Sequence, residues 1–273
     1  MIEFPLKYLS FYDTLFCGQV FRFREYQKGY LVFSADKCAY CYAEGDSAFI
    51  DGDDYFFDYF DLSRDYGRIV ENAVSYGFDK LSFAAKKHSG LRILKQDKFE
   101  ALISFIISQN NNIPRIKTII ERLCEKYGEK KTFKGIDYYA FPTPEALSKA
   151  EIKDFKSLGL GYRDEYVSIA ARSVFRGEID LEKLALADTP SLRKALISIK
   201  GVGEKVADCA LLFGFNHTDS FPVDTWIEKL YHEDFNGELT DRKKISDYFV
   251  RMFGENSGFV QQYLFYSKRE GEL

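Results

Sequence analysis

The chain has 273 residues, of which 46% are hydrophobic and 29% charged, with a net charge of −4 and a pI near 5.6. That is long and apolar enough for a sizeable globular core in two packed domains, and the acidic balance argues against a general nucleic-acid binder. Purely apolar runs, as at 101–103 and 105–107, span only a few residues and are too short for a transmembrane helix, and the amino terminus lacks the basic and apolar regions of a signal peptide, so none is expected.

Residues 1–60 read as antiparallel β structure. Gln19–Arg24 alternates, Tyr30–Phe33 and Ala39–Tyr42 less cleanly, and turn signals at 27–29, 35–37 and 44–46 fall at hairpin spacing. Cys38-Ala-Tyr-Cys41 is a lone CxxC. A zinc site wants four ligands, the three histidines are distant in sequence, and residues three apart on a strand point to opposite faces. Two strand cysteines are the simpler reading. Five cysteines without a regular framework read as free thiols in a reducing compartment. Gly18, before Gln19, marks exposed or closely approached backbone; taken alone it is a glycine opening a strand.

Charge is uneven along the chain. Residues 1–80 hold 8 basic and 14 acidic side chains, leaving 30 and 28 for the rest. An acidic first domain on a near-neutral second one still leaves room for a basic strip, with modest, salt-dependent affinity for phosphates.

From Asp61 the period turns helical. Ser63–Tyr76, Asp97–Ser108 and Ile113–Tyr127 place apolar residues three and four apart. Between the last two lies Ser108-Gln-Asn-Asn-Asn-Ile-Pro-Arg115. Asparagines favour turns and caps over helix interiors, and Asn112 suits the cap of a helix that Pro114 helps begin. The cluster reads as a polar turn, or as amide groups beside Arg115 suited to base edges. Leu158-Gly-Leu-Gly-Tyr-Arg163 is a second glycine-rich break before a helix over 164–175. It is either a helix–helix turn or a wedge that presents Tyr162 to a base stack and Arg163 to an orphaned base.

Leu196-Ile-Ser-Ile-Lys-Gly-Val-Gly-Glu-Lys-Val-Ala-Asp-Cys-Ala210 organises the rest. The pattern gives a helix over about 191–199, a turn at Lys200–Gly203 and a second helix from Glu204. The unpaired N–H groups at the second helix's first turn, with its dipole, form a phosphate site. Lys205 sits in that turn, where a cation opposes the dipole, a poor place for a structural lysine and a useful one for a nucleophilic amine. Nineteen residues on, Asp224 in Phe221-Pro-Val-Asp-Thr-Trp226 reads as the N-cap of a helix reaching about Tyr231. One helix and one loop suffice to bring it back to Lys205. The last helix, 256–266, puts Gln261 and Phe265 on one face.

Gly201-Val-Gly203 with Lys205 and Pro222-Val-Asp224 resembles the helix-hairpin-helix and Gly-Pro-Asp loop of DNA glycosylases, and the full set of motifs is similar to the 8-oxoguanine DNA glycosylase family over nearly the whole chain. The resemblance implies an α+β fold: a TBP-like antiparallel sheet domain with a flanking helix over 1–80, packed on a helical domain over 81–273 with its hairpin at about 191–213. It implies a bifunctional enzyme that flips 8-oxoguanine out of duplex DNA, excises it and nicks the strand by β-elimination. Lys205 then attacks the sugar carbon and Asp224 assists. Gly18 offers its carbonyl to N7–H of the lesion, Gln261 reads the Watson–Crick edge, and Phe265 and Cys209 cover the two base faces. Asn110 and Arg115 contact the widowed cytosine, Tyr162 and Arg163 fill the gap, and Gly201 and Gly203 hold a phosphate.

Trp226 departs from the histidine of the animal enzymes, which contacts a phosphate, and Lys200 stands where many hairpins have proline, as a compensating charge. The resemblance implies no cofactor and no catalytic metal, though hairpin carbonyls suit a cation. The missing four-cysteine cluster argues against the iron–sulfur relatives. A monomer acting on duplex DNA in the cytoplasm is expected. Two alternatives are an alkylated-base glycosylase, which would lack the lysine, and a non-catalytic hairpin module, which would need neither the lysine nor the aspartate.

Overall fold

The computed structural model describes residues 1–273. Its first layer is a five-stranded antiparallel sheet built from β1 (Ile2–Pro5), β2 (Phe23–Tyr26), β3 (Gly29–Ser34), β4 (Lys37–Glu44) and β5 (Ser47–Asp51), in the spatial order β1-β5-β4-β3-β2. Register follows the alternation. Val32 pairs with Ala39 and Cys41 with Ile50, and all four point to one face, where they meet Leu9, Phe11 and Leu15 on and beside α1 (Phe11–Phe16) and Phe56 and Tyr59 from α2 (Tyr55–Tyr59). The opposite face carries Leu31, Phe33, Cys38 and Tyr40. Cys38 and Cys41 therefore lie in different layers, and all five cysteines are buried and free.

Two features depart from the alternation. The pairing starts at Phe23, not Gln19. Gln19 is buried and anchors a loop: its Nε2 donates to the carbonyls of Thr14 (2.9 Å) and Arg92 (2.7 Å), and its Oε1 accepts from the Leu94 amide (2.8 Å). These bonds hold the bend at Cys17–Gln19, where Gly18 has φ +90°, against the core ahead of β2. The other departure is α1, which interrupts the β region with Ser10 as its cap.

The helical layer follows: α3 (Tyr66–Ser75), α4 (Asp79–Lys87), α5 (Lys98–Ser108) and α6 (Ile113–Tyr127). A hairpin of β6 (Lys130–Phe133) and β7 (Ile136–Tyr139) then reaches back to cover the outer face of the sheet. Next come α7 (Pro144–Ser148), α8 (Ile152–Ser157), α9 (Arg163–Phe175), α10 (Leu181–Leu184), α11 (Thr189–Ile197), α12 (Glu204–Gly214), α13 (Thr225–Asp234), α14 (Arg242–Phe253) and α15 (Ser257–Arg269). Helix α5 is buried along almost its whole length and forms the central post, packed on α12, α9 and α6. None of these helices is long and apolar enough to cross a membrane.

Two buried arginines join the layers. Arg92, 1% exposed, donates to the carbonyls of Phe60 (2.8 Å), Tyr8 (2.8 Å), Asp61 and Arg64 (3.2 Å) and stacks on Tyr66. Arg22 pairs with Glu100 of α5 at 3.1 Å and donates to the Ala35 and Tyr139 carbonyls. Burial raises the Glu100 carboxyl against the pull of Arg22. Breaking such a pair by truncating one partner strands a buried charge, which costs about 3–5 kcal/mol.

Candidate active site

The hairpin forms where the glycines place it. Helix α11 is capped by Asp188 and ends at Ile197, and α12 starts at Glu204 with Gly203 as its N-cap. Gly201 has φ +91°, and a Cβ there would stand 2.1 Å from Cγ of Tyr166. Only glycine meets both demands. Lys205 lies in the first turn of α12, half-buried, with Nζ 5.5 Å from the centre of the Phe105 ring of α5. Phe105 in turn stacks on Phe213 at 5.4 Å, so the lysine rests on a rigid aromatic floor.

Asp224 is the N-cap of α13. Its Oδ1 accepts from the amides of Trp226 and Ile227, each at 3.0 Å. Both bonds fall on Oδ1, which leaves Oδ2 for the cleft. The loop that carries Asp224 is seated by Phe221, buried in a stack on Phe249 at 4.4 Å.

Lys205 and Asp224 line the same cleft, which is open to solvent. Gly18, Cys209, Gln261 and Phe265 line it too, together with Phe105, Phe213, Pro222 and Gln262. Six residues singled out in the sequence thus converge from four places in the chain. Gly18 has φ +90°, and a Cβ there would lie 3.0 Å from Nη1 of Arg269 and 3.6 Å from the Phe265 ring. The bare backbone is what keeps this wall thin. Gln262 Nε2 donates to the Cys17 carbonyl at 3.0 Å, tying α15 to that wall.

Cys209 follows Lys205 by one turn. Burial raises its thiol to about 11, against the lowering pull of Lys205. It stays protonated at neutral pH and does not compete with Lys205 as a nucleophile. Gln261 is buried, with Nε2 on the Pro222 carbonyl and Oε1 unpaired.

A second group gathers beside the hairpin. Asn110 is exposed, has φ +45°, and its Nδ2 donates to the Tyr162 hydroxyl at 3.1 Å. Asn112 caps α6 through the Arg115 amide at 3.0 Å, and the exposed Arg115 guanidinium reaches the Gly159 carbonyl at 3.3 Å. Tyr162 is 50% exposed at the tip of its turn. Arg163 differs from the expectation of a free base reader. It is 3% exposed, its guanidinium spent on the carbonyls of Leu160, Gln109 and Asn110. Lys200 is not a free charge either: it pairs with Glu165 at 2.6 Å. Gly203 has open space about its Cα, and Trp226 is 41% exposed beside the aspartate cap.

Sequence reading missed Gln262, Gln109, Arg269 and the two floor phenylalanines. Gln262 neighbours Gln261 and carried no separate signal. Phe105 and Phe213 looked like ordinary core at helical spacing.

The family model of the 8-oxoguanine DNA glycosylase N-terminal domain matches residues 1–102, and that of the HhH-GPD superfamily base excision DNA repair proteins matches residues 103–253. The chain belongs to the 8-oxoguanine DNA glycosylase family. A probable N-glycosylase/DNA lyase of Methanothermobacter thermautotrophicus is 34% identical over 236 residues, 78% of this chain and 74% of the relative. The 8-oxoguanine glycosylase/lyase of Clostridium acetobutylicum, solved with double-stranded DNA containing cytosine opposite 8-oxoguanine, superposes with a TM-score of 0.93 at 35% identity, covering 100% of this chain and 99% of that one. MBOgg1, solved with a low-affinity DNA ligand, gives 0.91 at 39% identity, covering 97% and 93%.

Proposed function

We infer that this family member is a bifunctional DNA glycosylase that removes 8-oxoguanine from duplex DNA and nicks the strand at the resulting site. The observation that carries the reading is the shared cleft of Lys205 and Asp224. A sugar carbon inside the base stack is out of reach, so the damaged nucleotide is extruded first, at a cost of about a few kcal/mol. Tyr162, exposed at the tip of its turn, is suited to fill the gap. Oδ2 of Asp224 faces the positive charge that grows on the sugar as the bond from C1′ to the base breaks. The bonding electrons leave with the base. Lys205 Nζ, neutral when it attacks, bonds to C1′, and ring opening gives a Schiff base. Loss of a C2′ proton then expels the 3′ phosphate by β-elimination.

Selection of the lesion follows from two acceptors. Normal guanine has a lone pair at N7, whereas 8-oxoguanine has N7–H. The Gly18 carbonyl gains a partner with the lesion and meets a lone pair with guanine, and a site built to bond a specific group rejects its absence strongly. The unpaired Oε1 of Gln261 suits the N–H groups of the Watson–Crick edge. Asn110 and Arg115, both exposed beside the Tyr162 turn, are the proposed contacts of the opposite cytosine. The protein acts as a monomer, in the cytoplasm or at the nucleoid.

Borohydride trapping on an 8-oxoguanine:cytosine duplex tests the reading. A covalent protein–DNA band that disappears in Lys205→Gln is expected; wild-type protein that excises the base without any trapped band excludes Schiff-base chemistry. An alkylated-base glycosylase would need no lysine here, and a binding module would need neither side chain.

A further inference from the structure

Gln109 ends α5 at the point where three DNA-facing pieces meet. Its Nε2 donates to the Gly201 carbonyl of the hairpin at 3.0 Å and to the Ile106 carbonyl at 3.1 Å. Both amide hydrogens are thereby used, and the side chain is pinned at each. Its main-chain carbonyl accepts from Nε of Arg163 at 2.7 Å, and more loosely from the Tyr162 hydroxyl at 3.4 Å. Arg163 also holds the Asn110 carbonyl at 2.9 Å. A continuous run of hydrogen bonds therefore leads from the Tyr162 turn, through Gln109, to the hairpin. A second route runs alongside it. The Tyr162 ring packs edge-on against Tyr166 at 6.0 Å, and Tyr166 is the ring on which Gly201 lies.

We propose that Gln109 is a positioning residue that couples the turn facing the opposite strand to the hairpin that sets Lys205. The inference rests on the glycosylase reading above. Gly201 precedes Lys205 by four residues, with the start of α12 between them, so a shift of the Gly201 carbonyl moves the amine. Attack on C1′ is sensitive to such shifts, since a misplacement of about 1 Å can cost about 10²-fold in rate. Gln109 touches no reacting atom. Its effect falls on the placement of Lys205 after the duplex is bound, not on binding itself.

Two variants test this. Gln109→Met keeps the length of the side chain and removes the donor. Gln109→Glu puts a carboxylate against the Gly201 carbonyl, and a neutral carboxyl restores an O–H donor at low pH. The measurements are the single-turnover excision rate at saturating enzyme and the affinity for a duplex with a tetrahydrofuran abasic analogue, each relative to wild type. Gln109→Met is expected to lower the rate about tenfold and to change affinity less than about twofold. Gln109→Glu is expected to lose more at about pH 8 and to recover relative to wild type toward about pH 5. Unchanged rates, equal losses in rate and affinity, or a Gln109→Glu deficit independent of pH would each overturn the proposal. Wild-type protein that excises no 8-oxoguanine sinks the glycosylase reading itself, and this inference with it.

Discussion

Gln261 Nε2 donates to the Pro222 carbonyl at 3.2 Å, bridging α15 and the loop that ends in Asp224. A carbonyl can only accept, so the amide nitrogen faces Pro222 and the oxygen faces the other way. That oxygen is buried and unpaired, a state that costs about 1–3 kcal/mol until a donor arrives. Gln261→Leu removes the orphan acceptor along with the bridge. The expected result is a small change in melting temperature and a loss of about tenfold or more in kcat/KM on 8-oxoguanine. A variant with wild-type kcat/KM would remove Gln261 from lesion reading.

On the proposed mechanism Asp224 caps α13 with one oxygen and serves the reaction with the other, and substitution separates the two roles. Asparagine caps helices about as well as aspartate, so Asp224→Asn should keep the two amide bonds of Oδ1 and the melting temperature. Excision should fall by about 10²–10³, the scale of losing one preorganised electrostatic group. Asp224→Ala should lose activity and about 1 kcal/mol of stability as well. Thermal melts beside single-turnover assays check both. Normal turnover in Asp224→Asn would take the aspartate out of the mechanism.

The convergence of Lys205 and Asp224 on one cleft was legible in the sequence because its signals are local. Gly201 and Gly203 mark a turn, an N-cap aspartate marks a helix start, and one helix and one loop between them allow both to reach the same cleft. Helices α5 and α6 also fell close to their periodic segments. What stayed hidden depends on long-range pairing. The β6–β7 hairpin reads as part of a helical region, yet it folds back because Phe133, Ile136 and Tyr138 cover the outer face of the sheet. Gln19 and Arg22 alternate as strand residues should, but their side chains serve distant carbonyls. Arg163 sits in a wedge-like motif, and its burial comes from the Asn110 loop closing over it. No spacing rule reveals that.

Gly201 makes a sharp stability prediction. Alanine there combines a left-handed backbone with a Cβ 2.1 Å from Tyr166 Cγ. The strain alone is about 1–3 kcal/mol, and the overlap adds to it. Gly201→Ala should melt lower and bind abasic-analogue duplex more weakly. Adding Tyr166→Ala removes the ring contacts but keeps the Tyr166 Cβ, 2.6 Å from the added one, and leaves the strain, so the double variant should recover only part of the loss. Full additivity of the two single changes, measured by denaturant unfolding, would show that the contact is not what excludes a side chain at 201.

His88, buried at the end of α4, should shape the pH dependence of stability. Its Nε2 meets Glu272 at 2.9 Å and its Nδ1 faces Asp13 at 3.4 Å. Burial works to lower its pKa, but the hydrogen bonds and charges of Asp13 and Glu272 prevail and raise it above the usual histidine range. A group whose folded pKa is raised stabilises the fold fully below its unfolded value, about 6.5, and loses that contribution as pH climbs through the folded value. Glu272 behaves in the opposite sense: burial acts to raise it, yet Lys87 and His88 hold it low. Its contribution is present above about 4.3 and fades as pH falls through the folded value. Stability from this triad should therefore peak between the two carboxylate and imidazole ranges. In His88→Gln the alkaline decline should flatten and the maximum should drop, as read from urea midpoints across pH. An unchanged alkaline limb would mean that His88 does not carry its proton in the folded protein.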